Sequence, residues 1–167
     1  MTNNQTPTIA VTQAGVEQAP VVFGLVEQLL RELGEEGDEA GPIDKAALAE
    51  AWRARHDQHF AFLARLGDSS EIGVVTVVES FAVYAGGPYG IINEMYVAPG
   101  YRSAGVGARL VEAVKSLGHA RGWKRLDVTA PESARWARTR RFYEGLGFIF
   151  TGPKLKLLLF IEGAGCR

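Results

Sequence analysis

The stretch best suited to chemistry is Val97-Ala98-Pro99-Gly100-Tyr101-Arg102-Ser103-Ala104-Gly105-Val106-Gly107-Ala108, in which Arg-x-x-Gly-x-Gly runs into a long helical pattern. Gly105 and Gly107 carry no side chains, so an anion can come close to the backbone there. The first turn of the following helix has N–H groups without an intrahelical partner, and it carries the positive end of the helix dipole. Arg102 adds a positive charge beside them. Residues Arg102, Ser103, Ala104, Gly105, Val106, Gly107 and Ala108 therefore form a candidate cradle for a diphosphate. The alternative is a glycine loop that merely turns the chain. Two other phosphate motifs do not fit. The chain has no Gly-Lys-Ser/Thr, which excludes a P-loop. A dinucleotide fingerprint needs a third glycine where Leu110 stands, and Asp127, about twenty residues on, falls within a strand rather than at its end.

Other reactive side chains are less well placed. His56 and His59 are spaced to share a face, but no third ligand accompanies them, so no metal site is expected. His119 sits at a charged helix end, which favours it electrostatically. Cys166 is the single cysteine and lies close to the C-terminus, so neither an intrachain disulfide nor cysteine nucleophilic catalysis is expected. No Ser/His/Asp constellation can be ordered along the chain.

Composition narrows the class further. The chain has 167 residues, 47% apolar and 22% charged, which suits one folded domain over residues 8–161 with flexible tails at 1–7 and 162–167. A formal net charge of −1 argues against nucleic acid as the partner. No basic and apolar leader is visible at Met1–Gln5, and the apolar stretches at Ile72–Val78 and Leu155–Ile161 are too short to span a bilayer. No membrane partner and a cytoplasmic location are expected. The charge is uneven: residues 1–60 hold ten acids and four bases, a balance of −6, and residues 61–167 hold nine acids and fourteen bases, a balance of +5. Solvated surfaces explain this. So would two ligands of opposite sign, an anion on the C-terminal half and a cation nearer the N-terminal half.

The elements that must position the loop follow from periodicity. Strands are expected at Thr8–Ala14, Phe60–Leu66, Ile72–Tyr84, Gly90–Val97, Lys124–Ala130, Phe148–Thr151 and Leu155–Ile161. Helices are expected at Glu17–Leu33, after an Asp44 N-cap, at Val106–Arg121 and at Arg135–Leu146. Turns are read at Gly67–Ser70 and Gly86-Gly87-Pro88, and an exposed acidic loop at Gly34–Gly41. The fourth strand, the 106–121 helix and the fifth strand make one right-handed crossover. The loop opens there beside a parallel partner, where ligands collect in α/β sheets. The apolar segment Leu155–Ile161 suits a core or an interface, which leaves a homodimer open.

Three segments together resemble the GCN5-related N-acetyltransferase (GNAT) family. They are Asn93-Glu94-Met95-Tyr96-Val97 leading into the Arg102-x-x-Gly105-x-Gly107 loop, the strand Leu126-Asp127-Val128-Thr129, and Arg141-Phe142-Tyr143-Glu144-Gly145-Leu146-Gly147-Phe148. The resemblance implies an α/β (α+β) fold: a mixed, mostly antiparallel sheet of six to seven strands, with strands 4 and 5 splayed and four flanking helices. It implies acetyl-CoA as cosubstrate, without metal. Backbone groups around Tyr96 and Val97 would pair with the pantetheine arm, and the N–H groups of 102–108 would hold the diphosphate.

The resemblance also implies roles for side chains. Tyr143 matches the tyrosine that many members use as an acid toward the departing thiolate; the alternative is a core aromatic between Phe142 and Phe148. Glu94 matches a catalytic carboxylate that would bind and deprotonate an ammonium; the alternatives are a salt-bridged strand acid, or Glu79 in that role. The acidic loop 34–41 would help form the acceptor site or simply be solvated. One departure stands out: Trp136 occupies the position where the family often has an Asn that contacts CoA. Arg135 or Arg138 would then serve the phosphates, and Arg121, Lys124 and Arg125 are candidates for the adenosine 3′-phosphate. The expected activity is direct acetyl transfer from acetyl-CoA to a primary amine of a small molecule. A non-catalytic acyl-CoA sensing module and a protein or peptide N-acetyltransferase are the rivals.

Overall fold

A run of alternating and valine-rich segments builds one sheet in the computed structural model, which describes residues 8–34, 43–67, 70–129 and 134–152. The strands are β1 (Ile9–Ala14), β2 (His59–Leu66), β3 (Glu71–Ala82), β4 (Gly87–Val97) and β5 (Leu126–Val128), in spatial order β1-β2-β3-β4-β5. The first four pair antiparallel and β5 joins β4 in parallel. The helices are α1 (Ala19–Leu33), α2 (Lys45–Arg53), α3 (Val106–Ala120) and α4 (Ala137–Gly145). The chain falls into two compact units, Met1–Val128 and Thr129–Arg167. Among the described residues the first carries the five strands and α1 to α3, and the second carries α4.

Local chemistry explains the boundaries. Asp44 caps α2 as its sequence position suggests: Oδ1 accepts the N–H groups of Ala46 at 3.1 Å and Ala47 at 3.0 Å. Pro20 stands at the start of α1, where a missing N–H costs nothing. A core of Ala14, Ala19, Val22, Trp52, Ala61, Leu63, Val74 and Tyr96 is packed by the apolar stripe of α1. On α3, Val106, Leu110, Val111 and Val114 are buried. Gly73 lets this helix approach closely, because a Cβ there would lie 3.2 Å from Val106 Cγ1 and 3.3 Å from Leu110 Cδ1. The start of α3 is thereby fixed on the sheet.

Three expectations change. The described residues contain five strands rather than six to seven. Phe148–Thr151 is not a strand: the N–H groups of Leu146, Gly147 and Phe148 turn back to the carbonyls of Tyr143 and Glu144 to close α4, with Gly147 at φ +91°. The closing turn of α4 takes the Phe148 amide, the first of the expected strand. The β3–β4 turn covers 83–86, so Gly87 and Pro88 already belong to β4. The expected strand Leu155–Ile161, Cys166, both tails and the acidic residues Glu35, Glu36, Asp38 and Glu39 lie outside the described residues. No helix among the described residues is long and apolar enough to cross a membrane.

Candidate active site

The expected splay is visible in the register. Strand β5 pairs with β4 only at Gly90↔Leu126, Ile91↔Asp127 and Ile92↔Val128. Strand β4 then runs on to Val97 past the end of its neighbour. At the same point it bulges: Val77 faces Ile92 and Thr76 faces Glu94, so Asn93 is an extra residue. The bulge resets which face each side chain takes. Beyond it Glu94 lies opposite Thr76 and Tyr96 opposite Val74, so Glu94 and Tyr96 share a face. Tyr96 is buried, and its ring lies 5.7 Å from the Arg102 guanidinium.

From Val97 the chain passes a 3-10 turn at Pro99–Tyr101 and reaches α3 through two left-handed residues, Ser103 at φ +62° and Gly105 at φ +84°. Gly105 is the N-cap of α3 and supplies no side-chain acceptor. Among the described residues no side chain caps Val106, Gly107 or Ala108, which leaves these first-turn N–H groups without an intrahelical partner at the positive end of the helix dipole. A non-glycine cap such as Asp would fill this position with its own oxygen. Arg102 behaves differently from an open cation. Its Nε donates to the Val97 carbonyl at 2.8 Å, and its Nη2 donates to both Glu32 oxygens at 2.7 and 2.8 Å. Arg102 therefore braces the loop between the end of β4 and α1.

The two candidate carboxylates are held in opposite ways. Glu79 on β3 is gripped by Arg121, whose Nη2 donates at 2.9 Å, and by the Trp123 indole N–H. The Arg121 hydrogen bond, joined by that of Trp123, holds its carboxyl below the usual range despite some desolvation. Glu94 has no basic partner among the described residues. The Thr76 hydroxyl donates to its Oε2 and accepts its N–H at 3.1 Å. Burial pushes the Glu94 carboxyl up, and the Thr76 hydrogen bond only partly offsets that. A carboxylate displaced toward neutrality, with no cation beside it, is suited to receive an ammonium or a proton. Thr76 was not singled out in the sequence, although a threonine inside Val74-Val75-Thr76-Val77-Val78 was the available signal.

In the second unit Tyr143 is buried, with the Phe142 and Phe148 rings at 5.1 and 5.3 Å. Burial pushes its phenol up from the ordinary value, so it keeps its proton across neutral pH and has an O–H to donate there. Arg135 lies over the Trp136 ring at 5.1 Å, and Arg140 pairs with Glu144 at 2.8 Å.

The cluster Arg121, Lys124 and Arg125 is misplaced for an adenosine phosphate beside the cradle. It follows the C-terminal end of α3, about 22 Å of helix from the amides of 106–108. Arg121 is taken by Glu79, and Arg125 by Asp127 at 2.6 Å. His59 is also structural: it abuts Trp52 edge-on at 5.6 Å, and burial pushes its imidazole down. Among the described residues no three His, Cys, Asp or Glu side chains gather as a metal site.

Comparison with known proteins bears on the fold. The family model described as Acetyltransferase (GNAT) domain matches residues 55–150, across the boundary between the two units. No curated protein matches the chain in sequence. Among solved structures, an aminoglycoside acetyltransferase, meta-AAC0020, from an uncultured soil metagenomic sample, in complex with sisomicin, superposes with a TM-score of 0.74 at 14% identity, covering 92% of this chain and 97% of its own. A ribosomal-protein-alanine N-acetyltransferase from Brucella melitensis biovar Abortus 2308 gives 0.72 at 17% identity, covering 91% and 100%. Aminoglycoside N-acetyltransferase AAC(6')-Iy in complex with CoA gives 0.69 at 19% identity, covering 96% and 98%. At these identities the likeness is one of fold.

Proposed function

On the premise that the chain belongs to the GNAT acetyltransferase family, we propose that it transfers the acetyl group of acetyl-CoA directly to a primary amine of a small cationic molecule in the cytoplasm. The observation that carries the acceptor class is Glu94, a partly buried carboxylate whose described partner is a hydroxyl rather than a cation. The aminoglycoside acetyltransferases among the solved relatives act on small molecules rich in amines, which fits the same reading.

The described residues suit acetyl-CoA. The uncapped amides of Val106, Gly107 and Ala108 would hold its diphosphate, with Arg102 fixing the loop and Ser103, Ala104 and Gly105 setting its curvature. The edge of β4 at Tyr96 and Val97, beyond the reach of β5, would align the pantetheine arm as an added strand does. Acetyl-CoA, as substrate, supplies the acyl thioester and leaves as the thiol.

The chain's own groups do the rest. Alkyl amines arrive protonated, since their pKa lies near 10. Glu94 binds that ammonium, and its raised pKa lets it take the proton and free the nucleophile. A backbone N–H of β4 polarises the thioester carbonyl. Tyr143 donates a hydrogen bond to the developing thiolate; this role rests on the family pattern and on a phenol that stays protonated.

The test is a panel of amines scored by thiol release, with acetyl-CoA binding followed by calorimetry. Micromolar acetyl-CoA binding with turnover confined to small polyamines or amino sugars is expected. Binding without turnover on any amine would make the protein a sensing module, and turnover only on peptides would make it a protein acetyltransferase. Either result overturns the reading.

A further inference from the structure

Strand β3 reads Val74-Val75-Thr76-Val77-Val78, with one hydroxyl among valines. Thr76 is 3% exposed and is the one buried polar side chain among the described residues. A hydroxyl in such a place is unfavourable unless it is hydrogen-bonded, and valine would fill nearly the same volume. The hydroxyl is engaged on both sides by a single residue. Its Oγ1 accepts the N–H of Glu94 at 3.1 Å, and its O–H donates to Glu94 Oε2. Both bonds fall next to the bulge at Asn93, where the β3–β4 ladder slips by one residue. A bulge loosens the backbone it interrupts. Here one side chain ties down both the main chain and the carboxylate at the loosened point.

We propose that Thr76 is a positioning residue for acetyl transfer, fixing the Glu94 carboxylate by its Oε2 so that Oε1 is the oxygen presented to the amine. The inference rests on the reading of Glu94 as the acceptor carboxylate. Among the described residues the hydrogen bonds of Glu94 to Thr76 fall on Oε2 and on the main-chain N–H, and none falls on Oε1. A carboxylate free to rotate would lose the alignment on which proton removal depends, and small misplacements at a reacting centre cost large factors in rate.

The test compares Thr76→Val, Thr76→Ser, Glu94→Gln and the double variant Thr76→Val/Glu94→Gln, each checked by thermal melting. Thr76→Val is expected to lower kcat about 10- to 100-fold with the KM for acetyl-CoA unchanged. Thr76→Ser keeps the hydroxyl and is expected to stay near the parent. The double variant is expected to be no slower than Glu94→Gln alone, since Thr76 acts only through Glu94. If Glu94→Gln leaves kcat intact, the reading of Glu94 fails and takes this inference with it. If Glu94→Gln is slow but Thr76→Val is not, or Thr76→Ser is as slow as Thr76→Val, Thr76 merely satisfies the bulge and the proposal is overturned. Should Thr76→Val not fold, Thr76→Ala against Thr76→Ser, assayed below their melting points, makes the same comparison.

Discussion

The two ends of β4 handle charge in opposite ways. At the Gly90 end, β5 completes the ladder, and the acids Glu79 and Asp127 each have a base. Glu79 is clasped by Arg121 and Trp123, and Asp127 by Arg125. Gly90 and Gly118 have no side chains because the Trp123 ring occupies that space. At the Val97 end, β5 has stopped, Asn93 bulges out, and α3 begins without a side-chain cap. Glu94 sits there with a hydroxyl as its partner. Matched groups hold a fold together. A desolvated carboxylate without a cation and helix amides without an acceptor weaken it, and such features persist where they serve chemistry.

The sharpest way to break this contrast is Glu94→Gln. It should lower kcat/KM by about 10²- to 10⁴-fold and at the same time raise the melting temperature at neutral pH. The sign follows from the raised carboxyl. Its stabilising effect is complete below the ordinary carboxyl range and is lost as pH rises through the raised value, so ionised Glu94 costs stability that glutamine does not. A melting series from pH 4 to pH 8 should show the advantage of the variant growing with pH.

Gly105→Val attacks the cradle. A β-branched residue at φ +84° costs about 1–2 kcal/mol in the left-handed region. Acetyl-CoA affinity by calorimetry should fall about tenfold, with kcat at saturation less affected.

Tyr143→Phe should slow turnover about 2- to 10-fold while leaving acetyl-CoA affinity alone, as loss of one hydrogen bond in the transition state would. Unchanged turnover in a chemistry-limited assay would leave Tyr143 as a core aromatic.

Glu79→Gln is the mildest. It should cost about 1 kcal/mol or less at neutral pH and leave kcat/KM unchanged. Its pH trend is the reverse of that at Glu94. The lowered Glu79 carboxyl lends stability above the ordinary carboxyl range, and that is lost as pH falls through its depressed value. Parallel pH trends in the two variants would erase the distinction between the ends.

How much of this was readable from residues alone depended on whether the cause was local. The turn into α3 was legible because Gly105 acts on its own backbone. The same holds for the Asp44 cap, whose acceptor and donors lie within one turn. The general β4–α3–β5 crossover was legible from hydrophobic period. What escaped were properties set by partners distant in sequence. Thr76 and Glu94 are far apart along the chain, and only the register of β3 on β4 joins them. The choice between Glu79 and Glu94 turns on Arg121 and Trp123, which the sequence shows merely as a base and an aromatic at a helix end. Arg102 looked like an open cation because its partner, Glu32, belongs to α1. The strand expected at Phe148–Thr151 begins on a residue whose amide the closing turn of α4 takes, a local bond that the apolar run did not reveal.

A crystal structure with CoA bound tests the central claim most directly. The account predicts the diphosphate against the amides of Val106, Gly107 and Ala108, the pantetheine arm along β4 between Asn93 and Val97, and Arg102 still bonded to Glu32. CoA seated at the Gly90 end, on Arg121 and Arg125, or absent from the Val97 end at saturating concentration, would contradict it.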